Sequence, residues 1–125
     1  MELSVVIPCL NEEETIGKCL DKASSTLEKN QVSYEIIVAD NGSSDNSIKI
    51  SKTFPKVRVI RVEKKGYGSA LKKGIEHADG EFILMADADD SYDFNDIMKH
   101  KIASIIIQRI DECLNTILIA ESINH

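Results

Sequence analysis

The sequence of 125 residues lacks three features that would each point to a class of protein. It has no uncharged apolar run of roughly 18 residues or more, so no segment is predicted to span a membrane by itself. Its first residues, Met-Glu-Leu-Ser, carry no basic stretch, so we expect no secretory signal peptide. It has no excess of positive charge, since 15 Lys and Arg stand against 21 Asp and Glu and the net charge is −6. A general nucleic-acid-binding function is therefore not expected.

Cysteine is also scarce. The three cysteines, Cys9, Cys19 and Cys113, are an odd number and show no metal-type spacing. We therefore expect reduced thiols in a cytoplasmic protein. What the sequence does contain is 42% hydrophobic and 29% charged residues, which is typical of a globular domain that can bury a core.

Short β-branched apolar runs alternate with helical patterns up to about residue 90. The runs predict strands over residues 3–8, 35–40, 57–62 and 82–86, with a helix in each interval between them. Such strand-helix-strand units form a mostly parallel sheet through right-handed crossovers. The sequence therefore predicts an α/β fold, Rossmann-like, with helices flanking the sheet. In such a sheet the ligand site lies at the carboxyl ends of the strands.

Polar residues predict where two of the helices begin. Asn11 lies at the expected N-cap of the first helix, and Glu14, three residues later, would complete a capping box. Ser44 or Asp45 would cap the second helix.

The pattern changes after residue 98. Apolar residues then recur every three or four positions, among them Ile102, Ile106, Ile110 and Ile117. This spacing predicts an amphipathic helix, or two, in a C-terminal tail over residues 99–125. We expect the tail either to cover an exposed face of the sheet or to pair with a second copy of the chain and form a homo-oligomer.

Asp87 and Asp89 are the strongest candidates for chemistry. They leave an apolar strand two residues apart, so both carboxylates can turn toward one divalent cation. Mg²⁺ and Mn²⁺ prefer such oxygen ligands and share the rest of their shell with substrate phosphates. The alternative interpretation is a turn, because Asp clusters commonly end strands and cap helices.

Three further polar segments follow the other strands. Asp40 is either a turn residue or a carboxylate that accepts hydrogen bonds from a base or ribose. The segment 8–13 can present backbone N–H groups to a ligand, with Glu12 either at the site or a surface carboxylate near a helix start. Lys65, in a glycine-containing loop, can meet a phosphate, although the spacing is neither a P-loop nor a dinucleotide fingerprint.

Taken in order, these four segments resemble the family 2 glycosyltransferases of GT-A fold, close to the branch of dolichyl-phosphate mannose synthase and the polyprenyl-phosphate glycosyltransferases. The segments are Val-Val-Ile-Pro-Cys-Leu-Asn-Glu-Glu (5–13), Ile-Val-Ala-Asp-Asn-Gly-Ser-Ser-Asp (37–45), Lys-Gly-Tyr-Gly-Ser-Ala-Leu (65–71) and Leu-Met-Ala-Asp-Ala-Asp-Asp-Ser (84–91). The resemblance covers residues 3 to about 98 and implies the nucleotide-binding half of a GT-A fold over residues 1–98.

The resemblance also implies a function. It implies a UDP- or GDP-linked sugar as donor, Mg²⁺ or Mn²⁺ as cofactor, and transfer with inversion to a polyprenyl or dolichyl phosphate or a glycan. Work on lipid-linked acceptors implies a peripheral position at the cytoplasmic face of a membrane. By the match, Asp40 meets the base, Asp87 and Ala88 lie by the ribose and phosphates, and the metal ligands are Asp87 and, chiefly, Asp89. The nucleotide-sugar site implied in full comprises Pro8, Leu10, Asn11, Glu12, Asp40, Lys65, Asp87 and Ala88.

Family members continue well beyond the Asp-x-Asp strand, whereas only the 27 residues from 99 to 125 remain here. We therefore expect a truncated family member, a natural fragment or the product of an altered reading frame, in which no catalytic residue can be assigned. It is either the donor half of a metal-dependent transferase or a non-catalytic fragment that binds nucleotide weakly and oligomerises through its tail. A sugar nucleotidyltransferase is a weaker alternative, because the Gly-rich signature expected after the first strand is missing.

Overall fold

The computed structural model describes residues 1–86, Ala88 and residues 106–108. Strands and helices alternate along the chain up to the fourth strand, as the sequence predicts. The elements are β1 (Leu3–Cys9), α1 (Ile16–Lys29), β2 (Tyr34–Asp40), α2 (Ser47–Ser51), β3 (Val57–Arg61), α3 (Tyr67–Glu76), β4 (Phe82–Met85) and β5 (Ile106–Gln108).

The strands form one sheet in the order β3-β2-β1-β4-β5. The first four strands are parallel, and β5 runs antiparallel to β4. All seven residues of β1 and all seven of β2 are buried, which explains their continuous apolar sequence. The predicted α/β fold with a mostly parallel sheet and flanking helices is confirmed.

Helices pack on both faces of the sheet. On one face the apolar stripe of α1, which includes Ile16, Leu20 and Leu27, packs against Ile7 and Val38 of the strands. On the other face Leu71 and Ile75 of α3 pack against Val6, Ile37 and Ile83. The approach of α3 is close, because a Cβ added at Gly74 would lie 2.4 Å from Cγ1 of Val6. No helix in the described part of the chain is long and apolar enough to cross a bilayer.

The helix predicted for the tail is wrong at Ile106–Gln108, which is the strand β5. Three consecutive isoleucines, residues 105–107, favour extended backbone because β-branched side chains are restricted in a helix. The free edge of β4 then supplies hydrogen-bond partners that helical spacing alone does not reveal. The rest of the predicted tail, and the domain boundary at residue 98, lie outside the described residues.

The predicted capping box at the start of α1 is also wrong. The helix begins at Ile16, with Thr15 at the N-cap position, and Asn11 has a φ of 52° well before it. Residues 12–15 form a turn in which the Ile16 N–H donates to the Glu12 carbonyl at 2.8 Å. At α2 the predicted cap Asp45 lies one residue before the N-cap position, which is Asn46. Its carboxylate still accepts a hydrogen bond from the N–H of Ser47, the first residue of the helix, at 2.9 Å.

The buried carboxylate of Glu35 connects the first three strands near their amino ends. Oε2 of Glu35 accepts hydrogen bonds from the Ser4 hydroxyl at 2.7 Å and from the Asp79 N–H at 2.8 Å. Its Oε1 accepts from the guanidinium of Arg58 at 3.0 Å. The Ser4 hydroxyl in turn accepts from the Gly80 N–H at 2.8 Å. The turn before β4 is thereby tied to the first three strands.

We predict that Glu35→Gln lowers the free energy of unfolding by about 2 kcal/mol, because an amide cannot accept all three hydrogen bonds and leaves a buried donor unsatisfied. Urea denaturation followed by circular dichroism measures the change. Glu28→Gln is the matched control: this exposed carboxylate lies 3.9 Å from Lys56, and its loss should change stability by less than about 0.5 kcal/mol. Equal effects of the two substitutions would contradict the structural role given to Glu35.

Candidate functional site

The order of the strands creates a crevice at the end of β1. The chain proceeds from β1 to β2 and β3 on one side, and then crosses to β4 on the other side of β1. Ligands of open α/β sheets bind at such a reversal, outside the carboxyl ends of the strands. A cleft of about 490 Å³ lies there, which is within the size range of small-molecule sites. Its lining consists of Pro8, Cys9, Leu10, Glu12, Asn41, Lys65, Gly66, Tyr67, Ala70 and Ala88.

Five of the predicted site residues meet in this cleft. They come from the end of β1 and from the segments after β1, β3 and β4, and they are Pro8, Leu10, Glu12, Lys65 and Ala88. Two others, Asn11 and Asp40, do not line the cleft. Their side chains accept hydrogen bonds from N–H groups of the loop after β2. Asp87 and Asp89 lie outside the described residues, although Ala88 between them is buried in the cleft wall.

The β1 end of the cleft is largely apolar. Leu10 is 48% exposed there, and Cys9 is 3% exposed. Burial raises the pKa of the Cys9 thiol, and hydrogen bonding with Ser47 offsets this effect only in part. Cys9 is therefore a neutral thiol near pH 7 rather than a nucleophile. Of the cysteines that the structure describes, Cys9 and Cys19 are both buried thiols, as predicted.

Hydrogen bonds clamp the loop after β1 to the loop after β2. Oδ1 of Asn11 accepts from the Ser44 N–H at 2.8 Å, which is why Asn11 does not cap α1. In return, the N–H of Glu12 donates to the Ser47 hydroxyl at 2.8 Å, and the N–H of Glu13 donates to the Asp45 carboxylate at 3.1 Å. These bonds fix the wall of the cleft that carries Glu12.

Asp40 binds its own loop. Its Oδ2 accepts hydrogen bonds from the N–H groups of Gly42 and Ser43 at 3.0 and 2.9 Å, and its Oδ1 accepts from the Ser43 hydroxyl at 2.6 Å. The residue is fully buried. Of its two predicted roles the described structure displays the turn role, and the contact with a base stays a prediction.

Asn41 connects the β2 end to the loop after β3. Its side-chain N–H₂ donates to the carbonyls of Val62 and Lys64 at 3.0 and 2.9 Å, and its Oδ1 accepts from the Gly66 N–H at 2.8 Å. Its carbonyl accepts from Nζ of Lys65 at 2.9 Å, so the predicted phosphate-binding lysine is held at the cleft. Gly66 has a φ of 119°, a conformation that favours glycine, where the loop turns into α3.

Two of these positioning side chains were not identified from the sequence. Asn41 directly follows the predicted strand over residues 35–40, and an amide at such a strand end is the sequence signal that could have identified it. Thr15 was not singled out at all. Its hydroxyl donates to the Ala88 carbonyl at 2.8 Å and so connects the start of α1 to the segment after β4. No local sequence motif predicts this long-range bond.

No group of three or more His, Cys, Asp or Glu side chains suited to a metal ion occurs among the described residues. The metal ligands predicted from the sequence, Asp87 and Asp89, flank Ala88 in the chain and lie outside the described residues. Two carboxylates that share a cation with substrate phosphates suit Mg²⁺ or Mn²⁺.

Comparison with known proteins gives consistent matches. The sequence model of a family described as "Glycosyl transferase family 2" matches residues 4–100. The human dolichyl-phosphate beta-glucosyltransferase is 43% identical over 110 residues, which cover 78% of this chain and 34% of that protein. The undecaprenyl-phosphate 4-deoxy-4-formamido-L-arabinose transferase of Proteus mirabilis is 34% identical, with 70% and 29% covered. The chain thus spans about a third of the length of the curated relatives it matches.

A solved structure agrees with these matches. The glucosyl-3-phosphoglycerate synthase of Mycobacterium tuberculosis, crystallised with Mn²⁺, UDP and phosphoglyceric acid, is similar with a TM-score of 0.61 and 32% identity. The similarity covers 70% of this chain and 32% of that one.

Protonation of the Asp45 carboxylate should weaken the hydrogen bonds between the loops after β1 and β2. Desolvation acts to raise the pKa of this carboxyl, but hydrogen bonds from Ser47 and from the Glu13 N–H outweigh it and hold the pKa below its ordinary value of 3.8. A lowered folded-state pKa means that the stabilisation is complete above pH 3.8 and is lost as the pH falls through the folded-state value.

We therefore predict that Asp45→Asn destabilises the protein more near pH 6 than near pH 3, because at pH 3 the carboxyl of the unfolded chain, with its ordinary pKa of 3.8, is largely protonated. Urea denaturation of both proteins at the two pH values measures the difference. The control is Asp21→Asn on the exposed side of α1, which removes a carboxylate outside the clamp. If the Asp45→Asn difference were the same at both pH values, the carboxylate would not be the titrating part of the clamp.

Proposed function

Because the chain belongs to glycosyl transferase family 2, we propose that it binds a UDP-linked sugar in the cleft at the end of β1 and forms the donor half of a glycosyltransferase. The observation that carries this proposal is the convergence of three loops on one cleft. Glu12, Lys65 and Ala88 come from three of the four segments that resemble the family, and they line the same 490 Å³ space.

Positive charge at one wall of the cleft supports a diphosphate ligand. Of the three N–H donors of the Lys65 ammonium, one binds Asn41 within the described part of the chain, and the side chain is exposed at the cleft. The N-terminus of α3 opens on the same wall, since Gly66, Tyr67 and Ala70 line it. A helix N-terminus carries a partial positive charge and favours an anion.

We propose Asp87 and Asp89 as ligands of Mn²⁺ or Mg²⁺. When bound, the cation would neutralise charge on the diphosphate as it leaves. The net charge of −6 supports this requirement, because carboxylates near the cleft would otherwise repel the donor. UDP rather than GDP is proposed because the similar mycobacterial enzyme was crystallised with UDP and Mn²⁺.

The proposed acceptor is a polyprenyl phosphate. Two relatives of this chain are named for dolichyl phosphate and undecaprenyl phosphate acceptors. An oxygen of the lipid phosphate would attack the anomeric carbon of the sugar. The bond from that carbon to the diphosphate oxygen would break, and UDP would leave with the electron pair. A phosphate monoester is already a nucleophile, so the acceptor itself supplies the attacking group.

The proposal that the cleft binds a UDP-linked sugar predicts metal-dependent nucleotide binding. In calorimetric titration, Mn²⁺ should raise the affinity for UDP by about tenfold or more, and GDP should bind more weakly than UDP. Asp89→Asn should remove the gain from Mn²⁺ and keep the metal-free affinity. Asp21→Asn, on the exposed side of α1, is the control and should behave as the native chain does. A native chain whose UDP affinity does not change when Mn²⁺ is chelated would contradict the metal role.

The proposal that the acceptor is a polyprenyl phosphate makes a separate prediction. Radiolabelled glucose should pass from UDP-glucose to dolichyl phosphate in detergent micelles, and unphosphorylated dolichol should give no product. The phosphate requirement follows from its role as nucleophile. Transfer to both lipids at equal rates would refute the proposed acceptor while leaving the donor site intact.

A further inference from the structure

We propose that Asn41 is a positioning residue of the donor site, which holds the Lys65 ammonium where it meets the diphosphate of the nucleotide sugar. The inference rests on the proposed function, in which that diphosphate lies against the Lys65 wall of the cleft. Asn41 is not among the site residues that the sequence predicts, but the structure brings it into the cleft lining beside Lys65 and Gly66.

Asn41 is attached to the end of the sheet. Its N–H donates to the Cys9 carbonyl at 2.9 Å, which continues the pairing of β2 with β1 one residue past the end of β2. The residue is 5% exposed. Its backbone therefore gives the loop after β3 a fixed point of attachment at the β1 end of the cleft.

The side chain of Asn41 holds the backbone on both sides of Lys65. Nδ2 donates to the Lys64 carbonyl at 2.9 Å, and Oδ1 accepts from the Gly66 N–H at 2.8 Å. Nδ2 also donates to the Val62 carbonyl at 3.0 Å. Both N–H groups of the amide are thereby used within the protein, and the amide has no third N–H for a ligand. This arrangement favours a role that acts through the loop of Lys65.

The main chain at Asn41 and Gly42 holds the charged end of the same lysine. Nζ of Lys65 donates to the Asn41 carbonyl at 2.9 Å. A Cβ added at Gly42 would lie 2.7 Å from this nitrogen, so the ammonium lies directly against a residue that has no side chain. Two neighbouring residues after β2 therefore fix both the backbone and the ammonium of Lys65.

A lysine that is held in advance should bind an anion more tightly than a mobile one. A free lysine side chain samples many rotamers, and a ligand that fixes one of them does so at a cost in conformational entropy. The contacts with Asn41 and Gly42 restrict the side chain before the donor binds, so less freedom is lost on binding. Loss of the Asn41 side chain should therefore weaken UDP binding only while the Lys65 ammonium is present.

The test is a double-mutant cycle between Asn41 and Lys65, with UDP affinity measured by calorimetry. Asn41→Ala removes the three side-chain hydrogen bonds, and Lys65→Ala removes the ammonium. Asn30→Ala is the matched control, because Nδ2 of Asn30 donates to the Thr26 carbonyl at 2.8 Å at the end of α1, outside the cleft lining.

All variants are made in the full chain and titrated in the same Mn²⁺-containing buffer, so any effect of the metal is common to them. Thermal unfolding establishes that each is folded at the temperature of the titration. Asn41→Ser, which keeps one hydroxyl for the buried carbonyls, replaces Asn41→Ala with the same expected result if the alanine variant does not fold.

We expect Lys65→Ala to lower the UDP affinity by about tenfold and Asn41→Ala to lower it by about fivefold. In the Lys65→Ala chain, Asn41→Ala should change the affinity by less than about twofold, because a positioning residue has no effect without the group that it positions. Asn30→Ala should keep the native affinity. An equal loss from Asn41→Ala with and without the ammonium would overturn the inference, since Asn41 would then act on the fold or on the ligand directly.

A second readout needs no ligand. The amide proton of Gly66 should exchange with solvent about fivefold faster in Asn41→Ala than in the native chain, while the amide protons of α1 keep their rates. An unchanged rate at Gly66 would also overturn the inference. A native chain that bound no UDP would contradict the proposed function, and the inference with it. A native chain that bound UDP but showed additive losses in the cycle would contradict the inference alone.

Discussion

The reversal of strand order at β1 is the constraint on which the rest of the structure depends. This strand is buried along its whole length and pairs with β2 over Leu3–Cys9 and with β4 over Leu3–Val6, so it lies inside the sheet between two neighbours. The crossovers on its two sides place α1 on one face and α3 on the other. The described cleft lies at the end of β1, where the strand order reverses and open α/β sheets bind their ligands. The location of the site follows from topology before any particular side chain is considered.

Short polar side chains then give this cleft its shape. Backbone ladders stop where the strands end, and the loop N–H and carbonyl groups need other partners. Asn11 and Asn41 supply them between loops, and Asp40 supplies them within its own loop. Because these amides and carboxylates are fixed by several bonds each, the walls of the cleft are formed before a ligand arrives. A site of this kind loses little conformational freedom on binding, which is the physical advantage of preorganisation.

The strands and a cleft at their carboxyl ends could be predicted from the sequence, because apolar runs and chain order are local information. The features that could not be predicted depend on partners distant in the chain. Asn11 and Glu14 match a capping box, but the nearby Ser44 N–H offers Asn11 a better partner, and the helix starts later. Ile106–Gln108 follows helical spacing, yet the open edge of β4 makes it a strand. Thr15 has no motif at all, since its acceptor is a carbonyl far along the sequence.

Asp40 shows how a structural and a binding role can compete for one carboxylate. With both oxygens engaged by the Gly42–Ser43 turn and no exposed surface, it can meet a nucleobase only if the Ser43 hydroxyl gives way. That hydroxyl also accepts a hydrogen bond from the Asn11 N–H at 2.9 Å, so its movement would loosen the contact with the loop after β1. A base that replaced the hydroxyl as donor to Asp40 would keep the carboxylate satisfied, and the exchange would cost little beyond that contact. Recognition of the base at Asp40 would then be linked to the position of the same loop that carries Glu12 into the cleft.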